Sequence, residues 1–193
     1  MILDGLFRRS RLRRTADTLY VAAVRQARQP GFYTRFGAPD TLDGRFDMVT
    51  LHVFLLLRRL RDEGKKGAVL AQKLFDVMFE YMDQDLREMG VGDLSVGKKV
   101  KAMASAVYGR IAAYEAALDE GGEAGQAQLV EALRRNLYSA RDPHDEDARA
   151  LACYIVDQAA ALAGHSGADL LAGRVSFLAA PHNDDDGSSA GRG

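Results

Sequence analysis

Apolar residues fall at helical spacings along most of the chain. Phe46, Val49, Thr50, Val53, Phe54, Leu57 and Leu60 recur at i, i+3, i+4 and i+7, the pattern of a helix face turned to a core. Met48, Leu51, Leu55 and Leu56 carry the apolar surface nearly all round, so this helix is expected to be the buried central one. Arg58, Arg59 and Arg61 in its last turn suit the negative end of the helix dipole, and Gly64 is a stop signal. Upstream, Thr15 is a cap for a helix reaching about residue 28, with Leu19, Tyr20, Ala23, Val24 and Ala27 on one face. Pro30-Gly31 ends it, and a loop of turn formers follows to Arg45.

Further helices are predicted over about 67–89, 96–120, 124–140 and 145–163, with a short element near 169–177. Their faces are Leu70, Leu74, Val77, Met78, Tyr81 and Met82; then Val96, Val100, Met103, Val107, Ile111 and Leu118; then Leu129, Val130, Leu133 and Leu137; then Leu151, Tyr154, Ile155 and Leu162. Neither strand alternation nor an internal repeat appears. The expected fold is all-α, a single-domain bundle of six or more helices. It divides into a basic lead-in at 1–14, a helical domain at 15–181 and a tail at 182–193. The tail is rich in Asp, Gly and Ser and is expected to be disordered.

The lead-in changes the picture locally. Ile2, Leu3, Leu6 and Phe7 precede Arg8, Arg9, Arg11, Arg13 and Arg14. Two readings stand: an amphipathic anchor on an anionic membrane, or a segment whose apolar residues pack on the domain. The second is preferred, because short isolated helices hold weakly to membranes. The longest strongly apolar run, Val53 to Leu57, stops at Arg58 and is too short to span a bilayer. A signal peptide is not expected, and a cytoplasmic bacterial protein fits better than one with a transit peptide.

Composition is that of a globular protein: 193 residues, 47% apolar, 27% charged, with a formal net charge of -1. The protein as a whole is therefore no magnet for nucleic acid, and any charged docking surface is local. The single cysteine, Cys153, excludes an intramolecular disulfide. Its setting between Ala152 and Tyr154 reads as a buried small side chain rather than a nucleophile.

One stretch imitates a nucleotide site. Gly92-Asp93-Leu94-Ser95-Val96-Gly97-Lys98-Lys99 reads G-x-x-x-x-G-K-K, but a P-loop needs Ser or Thr where Lys99 stands, and a strand before it. Lys98, Lys99 and Lys101 instead occupy the first turns of a helix, where the dipole disfavours cations. They read either as an anion-facing patch for RNA phosphate or an acidic partner, or as a solvated basic turn. Asp76, Glu80 and Asp83 form an acidic stripe read as solvated surface, since a diiron bundle needs Glu-x-x-His pairs that this sequence lacks. His52, in the central helix, reads as a hydrogen-bonded core histidine rather than a ligand. No catalytic constellation, metal site or cofactor is expected. The 31–46 loop holds Phe32, Tyr33, Phe36 and Phe46, aromatics expected mainly to be buried and in part presented to a partner.

Two stretches carry a resemblance. Gly37-Ala38-Pro39-Asp40-Thr41-Leu42-Asp43-Gly44-Arg45-Phe46 with Leu51-His52-Val53 is one. Leu74-Phe75-Asp76 through Met82-Asp83, then Leu86 to Asp93, and Lys98 to Lys101, is the other. Together with Ala172-Gly173-Arg174-Val175 they resemble the ubiquinol–cytochrome c chaperone family over about residues 15–180. The resemblance implies a helical chaperone without enzymatic activity, acting in cytochrome bc1 complex assembly. It implies cytochrome b as client, ribosome binding near the tunnel exit, a small partner chaperone and at most peripheral contact with the inner membrane. On that reading the residues contacting client or partner are Phe32, Tyr33, Phe36, Asp40, Arg45, Met78, Phe79 and Met82, methionine being adaptable to varied partners; for Met78, Phe79 and Met82 the alternative is ordinary core, which is preferred for Met78. Those facing the ribosome or another anion are Lys98, Lys99 and Lys101. The rival reading is a basic-patch RNA or ribosome adaptor without client contact.

Overall fold

The structure, a computed structural model, describes residues 2–90, 92–138 and 145–180, and their side chains except at 2–8, 93–94 and 145. The expected tail at 182–193, with His182, and His144 lie outside the described residues. The fold is all-α. Among the described residues there are eight helices and no strand: α1 (Ile2–Ala27), α2 (Pro30–Thr34), α3 (Leu42–Arg61), α4 (Gly64–Glu88), α5 (Asp93–Glu120), α6 (Gly122–Asn136), α7 (Asp145–Ala163) and α8 (Gly167–Leu171).

Helix α3 is the axis. Every residue from Asp47 to Leu56 is buried, which accounts for an apolar run too continuous for a surface helix. Helices α1, α4, α5 and α7 pack around it, while α6 bridges α5 and α7. Thr41 caps α3 by accepting the Gly44 amide at 3.1 Å, so the helix starts one turn before Phe46. Glycine is required at 44: a Cβ there would lie 2.1 Å from the Pro39 carbonyl oxygen. At the other end, Arg59 reaches the last turn of α7. Its Nε donates to Leu162 O at 3.0 Å and its Nη2 to His165 O at 2.8 Å, a cation satisfying carbonyls at a helix C-terminus.

Three expectations are corrected. Helix α1 runs unbroken through Thr15, whose hydroxyl donates to Arg11 O at 3.1 Å within the helix rather than capping one. The loop after Pro30 contains the short helix α2. Cys153 is exposed rather than buried, because Leu151, Ala152, Tyr154 and Ile155 take the inner face of α7. The acidic stripe is surface, as expected, but paired: Asp83 with Arg87 at 2.6 Å, Asp76 with Gln72 at 2.8 Å, and Glu80 with Arg13 of α1.

Candidate functional site

The predicted residues do not form one surface. Phe32 is in the core, edge-on to His52 and Tyr154 at ring separations of 5.2 and 5.0 Å. Met78 is equally buried. Tyr33 is half-buried and its hydroxyl donates to Ala27 O at 2.9 Å, closing the end of α1. Phe36 is half-buried and its carbonyl accepts from the Tyr138 hydroxyl. The aromatic loop is thus pinned down by structural contacts, which agrees with burial taking the larger share. Phe79 packs against Phe75 with the rings tilted, centroids 4.8 Å apart, and Phe75 likewise against the exposed Tyr108 at 5.0 Å, on the α5 side of α4.

Arg45 and Met82 do converge. They line a cleft of about 170 Å³ with walls from four helices. Helix α1 contributes Tyr20 and Val24, with Arg28 just past its end; the start of α3, Leu42, Asp43, Arg45, Phe46 and Val49; the end of α4, Met82, Asp85 and Leu86, with Met89 as its C-cap; and α5, Met103. Three of the chain's six methionines meet here. The floor is buried at Met82 and Leu86, but the lip is open: Leu42 is 60% exposed and Met89 51%. Large apolar side chains that exposed are costly in water unless something covers them.

The rim is charged and of mixed sign. Arg45 Nε donates to Asp40 Oδ1 at 2.6 Å, which holds the Asp40 carboxyl below its ordinary range and the guanidinium above its own. Asp43, Asp85 and Arg28 complete the rim. Next to the cleft, Asp47 is buried against Arg110 of α5 at 2.9 Å. Burial pushes its carboxyl up to about 7, against the pull of Arg110 and with a further push from Asp43. Lys98, Lys99 and Lys101 are exposed ahead of Met103 on α5, but the helix starts at Asp93 rather than near Val96, so they lie in its second and third turns and not at its dipole end.

Leu42, Met89 and Met103 were not among the expected site residues. Leu42 was legible in part, since Thr41-Leu42-Asp43-Gly44 is an N-terminal helix signal that places Leu42 on the first turn. Met89 and Met103 carry no local signal, because their exposure depends on how α4 and α5 pair.

The site offers apolar, adaptable contact and no reactive constellation. Among the described residues no group of His, Cys, Asp and Glu is placed to hold a metal ion, and no helix is long and apolar enough to cross a membrane. The structure defines an all-α protein with an open, methionine-lined cleft.

Comparison with known proteins agrees. Residues 34–177 match the family described as Ubiquinol-cytochrome C chaperone, and the chain belongs to that family, one of chaperones and not of enzymes. It is 28% identical over 153 residues to ubiquinol-cytochrome-c reductase complex assembly factor 1 of Xenopus laevis, spanning 79% of this chain and 74% of the relative. It is 29% identical over 160 residues to the human protein of that name, spanning 82% of this chain and 52% of the relative. The chain therefore spans about half the length of the human relative. The crystal structure of the Cbp3 homolog from Brucella abortus superimposes with a TM-score of 0.80 at 36% identity, over 93% of this chain and 98% of that one.

Proposed function

We propose that this protein is an assembly chaperone of the cytochrome bc1 complex that holds newly made cytochrome b across the α1–α3–α4–α5 cleft. The observation that carries the reading is the open methionine-lined cleft, with Leu42 and Met89 exposed at its lip. A cavity of about 170 Å³ accepts one or two client side chains, so a client helix would lie across the lip and anchor there. Methionine suits such work because its unbranched thioether re-packs against differing surfaces. The mixed-sign rim suits the polar ends of a membrane segment more than a nucleic acid, which asks for one sign.

In the same reading Lys98, Lys99 and Lys101 face the ribosome, and a small partner chaperone completes the unit. The protein works in the cytoplasm with at most peripheral contact at the inner membrane. The test is photo-crosslinking from positions 42 and 89 in cells making cytochrome b. Adducts to cytochrome b at both positions are expected, with their loss on Met82→Asp. Adducts to ribosomal components alone would favour the adaptor reading without client contact.

A further inference from the structure

We infer that the opposite end of the molecule carries a separate docking surface for an anionic lipid bilayer, built where α1 and α4 diverge. Helices α1 and α4 run side by side in the same direction: Leu12 and Leu70 share a groove near their starts, and Tyr20 stacks on Tyr81 at 5.0 Å further along. Between their first halves lies an open groove of about 620 Å³. Its floor is Leu12, Leu70 and Leu171 of α8, and Val69 stands at its edge, 52% exposed. Its polar lining is cationic apart from Thr15: Arg11, Lys65 and Lys66 line it, all exposed.

The charges are what identify the partner. Arg13, nearby on α1, is already paired, with Asp17 at 3.0 Å and with Glu80. Arg11, Lys65 and Lys66 have no carboxylate among the described residues, and no carboxylate lines the groove. Exposed Arg9 and Arg14 extend the same sign along α1. On a chain of net charge -1 this is a strong local excess. Cations ringing an apolar floor match the boundary of an anionic bilayer, where phosphates meet the rim and acyl chains the floor. A nucleic acid would use the charges and leave Val69 and the leucines without purpose.

The surface is distinct from the cleft. The rise of α4 sets Lys65 roughly 35 Å from Met89. A protein seated on lipid by this end presents its cleft away from the membrane plane. The inference goes beyond the client reading and does not depend on it.

The test is co-sedimentation of the full chain with vesicles of equimolar phosphatidylglycerol and phosphatidylcholine, against phosphatidylcholine alone, across a salt series. Binding only to the anionic vesicles, weakening with salt, is expected. The triple substitution Arg11→Gln, Lys65→Gln, Lys66→Gln should lower partition on the order of 100-fold at low salt, three charges each acting near the surface. Val69→Ser should weaken binding at all salt concentrations, since the lost contact is apolar. Circular dichroism of each variant keeps folding separate, and unchanged crosslinking from positions 42 and 89 keeps the client reading separate. The inference is overturned if wild type ignores anionic vesicles, if the folded triple variant binds as wild type does, or if Val69→Ser has no effect while soluble heparin binds with the same salt dependence.

Discussion

The Nε2 of His52 lies 3.1 Å from the Tyr154 hydroxyl in the middle of the core, tying α3 to α7. The protonation of this pair follows from its partners. His52 Nδ1 faces the Met48 carbonyl at 2.8 Å, and a carbonyl only accepts, so the ring proton is on Nδ1. Nε2 is then the acceptor and Tyr154 the donor, while Gln26 Nε2 donates to the tyrosine oxygen at 3.0 Å. Gln26 also donates to Leu178 O at 2.8 Å, and Gln158 Oε1 accepts from Leu178 N at 2.7 Å. Helices α1, α3 and α7 and the segment after α8 that carries Leu178 thus share one polar network, buried at His52 and Gln158 and open at Leu178. Tyr154→Phe removes its hub and leaves His52 Nε2 unpaired, at an expected cost of about 1–3 kcal/mol. Urea denaturation at pH 7 measures it, and a loss under about 0.5 kcal/mol would mean water replaces the hydroxyl.

His52 also contributes to the loss of stability in acid. Burial holds its pKa down at about 4, against an ordinary value of 6.5. The unfolded chain takes the proton at 6.5 and the folded chain does not until 4. The contribution is complete above pH 6.5 and is lost as pH falls towards 4, with a ceiling of about 3 kcal/mol. NMR of the His52 ring should show no titration between pH 8 and 5, with urea midpoints falling over the lower part of that range. A ring that titrates near 6.5 would mean that water reaches it.

Asp47 acts in the opposite direction. Its carboxyl is raised from 3.8 to about 7, so between those values the folded state binds the proton and the unfolded state does not. Stability from this group is greatest at low pH and falls as pH rises through 7. Asp47→Asn mimics the protonated form. It should exceed wild type already at pH 5 and by more at pH 8, as read by thermal melts, the two converging only below about pH 3.8. A variant weaker than wild type at both would show that Asp47 is ionised and that its pair with Arg110 is net stabilising.

How much of this was legible in the chain depends on the range of the cause. The bounds of α7, the central place of α3 and the core role of His52 follow from local spacing, and the structure agrees. Cys153 was misplaced because adjacent buried residues say little about phase: a single step of about 100° turns it outward. The cleft was the least legible feature. Val24, Phe46, Met82 and Met103 are far apart in sequence, and only the pairing of four helices brings them together. The Met-based expectation found one cleft residue, Met82, and one core residue, Met78.

The Gly44 position tests the first signature. A Cβ at 44 would meet the Pro39 carbonyl oxygen at 2.1 Å, and the backbone would have to move to admit it. The Pro39–Thr41 turn and the Thr41 cap would move with it. Gly44→Ala should cost on the order of 2–3 kcal/mol, a large effect for so small a substitution. Gly97, exposed with open space around it, is the control: Gly97→Ala should be neutral or stabilising. Comparable melts for the two variants would mean the turn adjusts freely.

The last prediction concerns the basic start of α5. Lys98, Lys99 and Lys101 are exposed, and because α5 begins at Asp93 they lie in its second and third turns, beyond the first turn in which the helix dipole acts. Exposed lysines contribute little to helix stability, so removing the charges should not harm the fold. The Lys98→Ala, Lys99→Ala, Lys101→Ala variant should melt at or slightly above the wild-type temperature, since alanine is a better helix former. Its co-sedimentation with ribosomes should weaken, and the salt dependence should flatten as screened contacts disappear. Crosslinking of client from positions 42 and 89 should persist with purified cytochrome b segments, because the cleft itself is untouched. A folded variant that co-sediments like wild type at every salt concentration would make these lysines plain solvated surface and remove the ribosome from the list of partners.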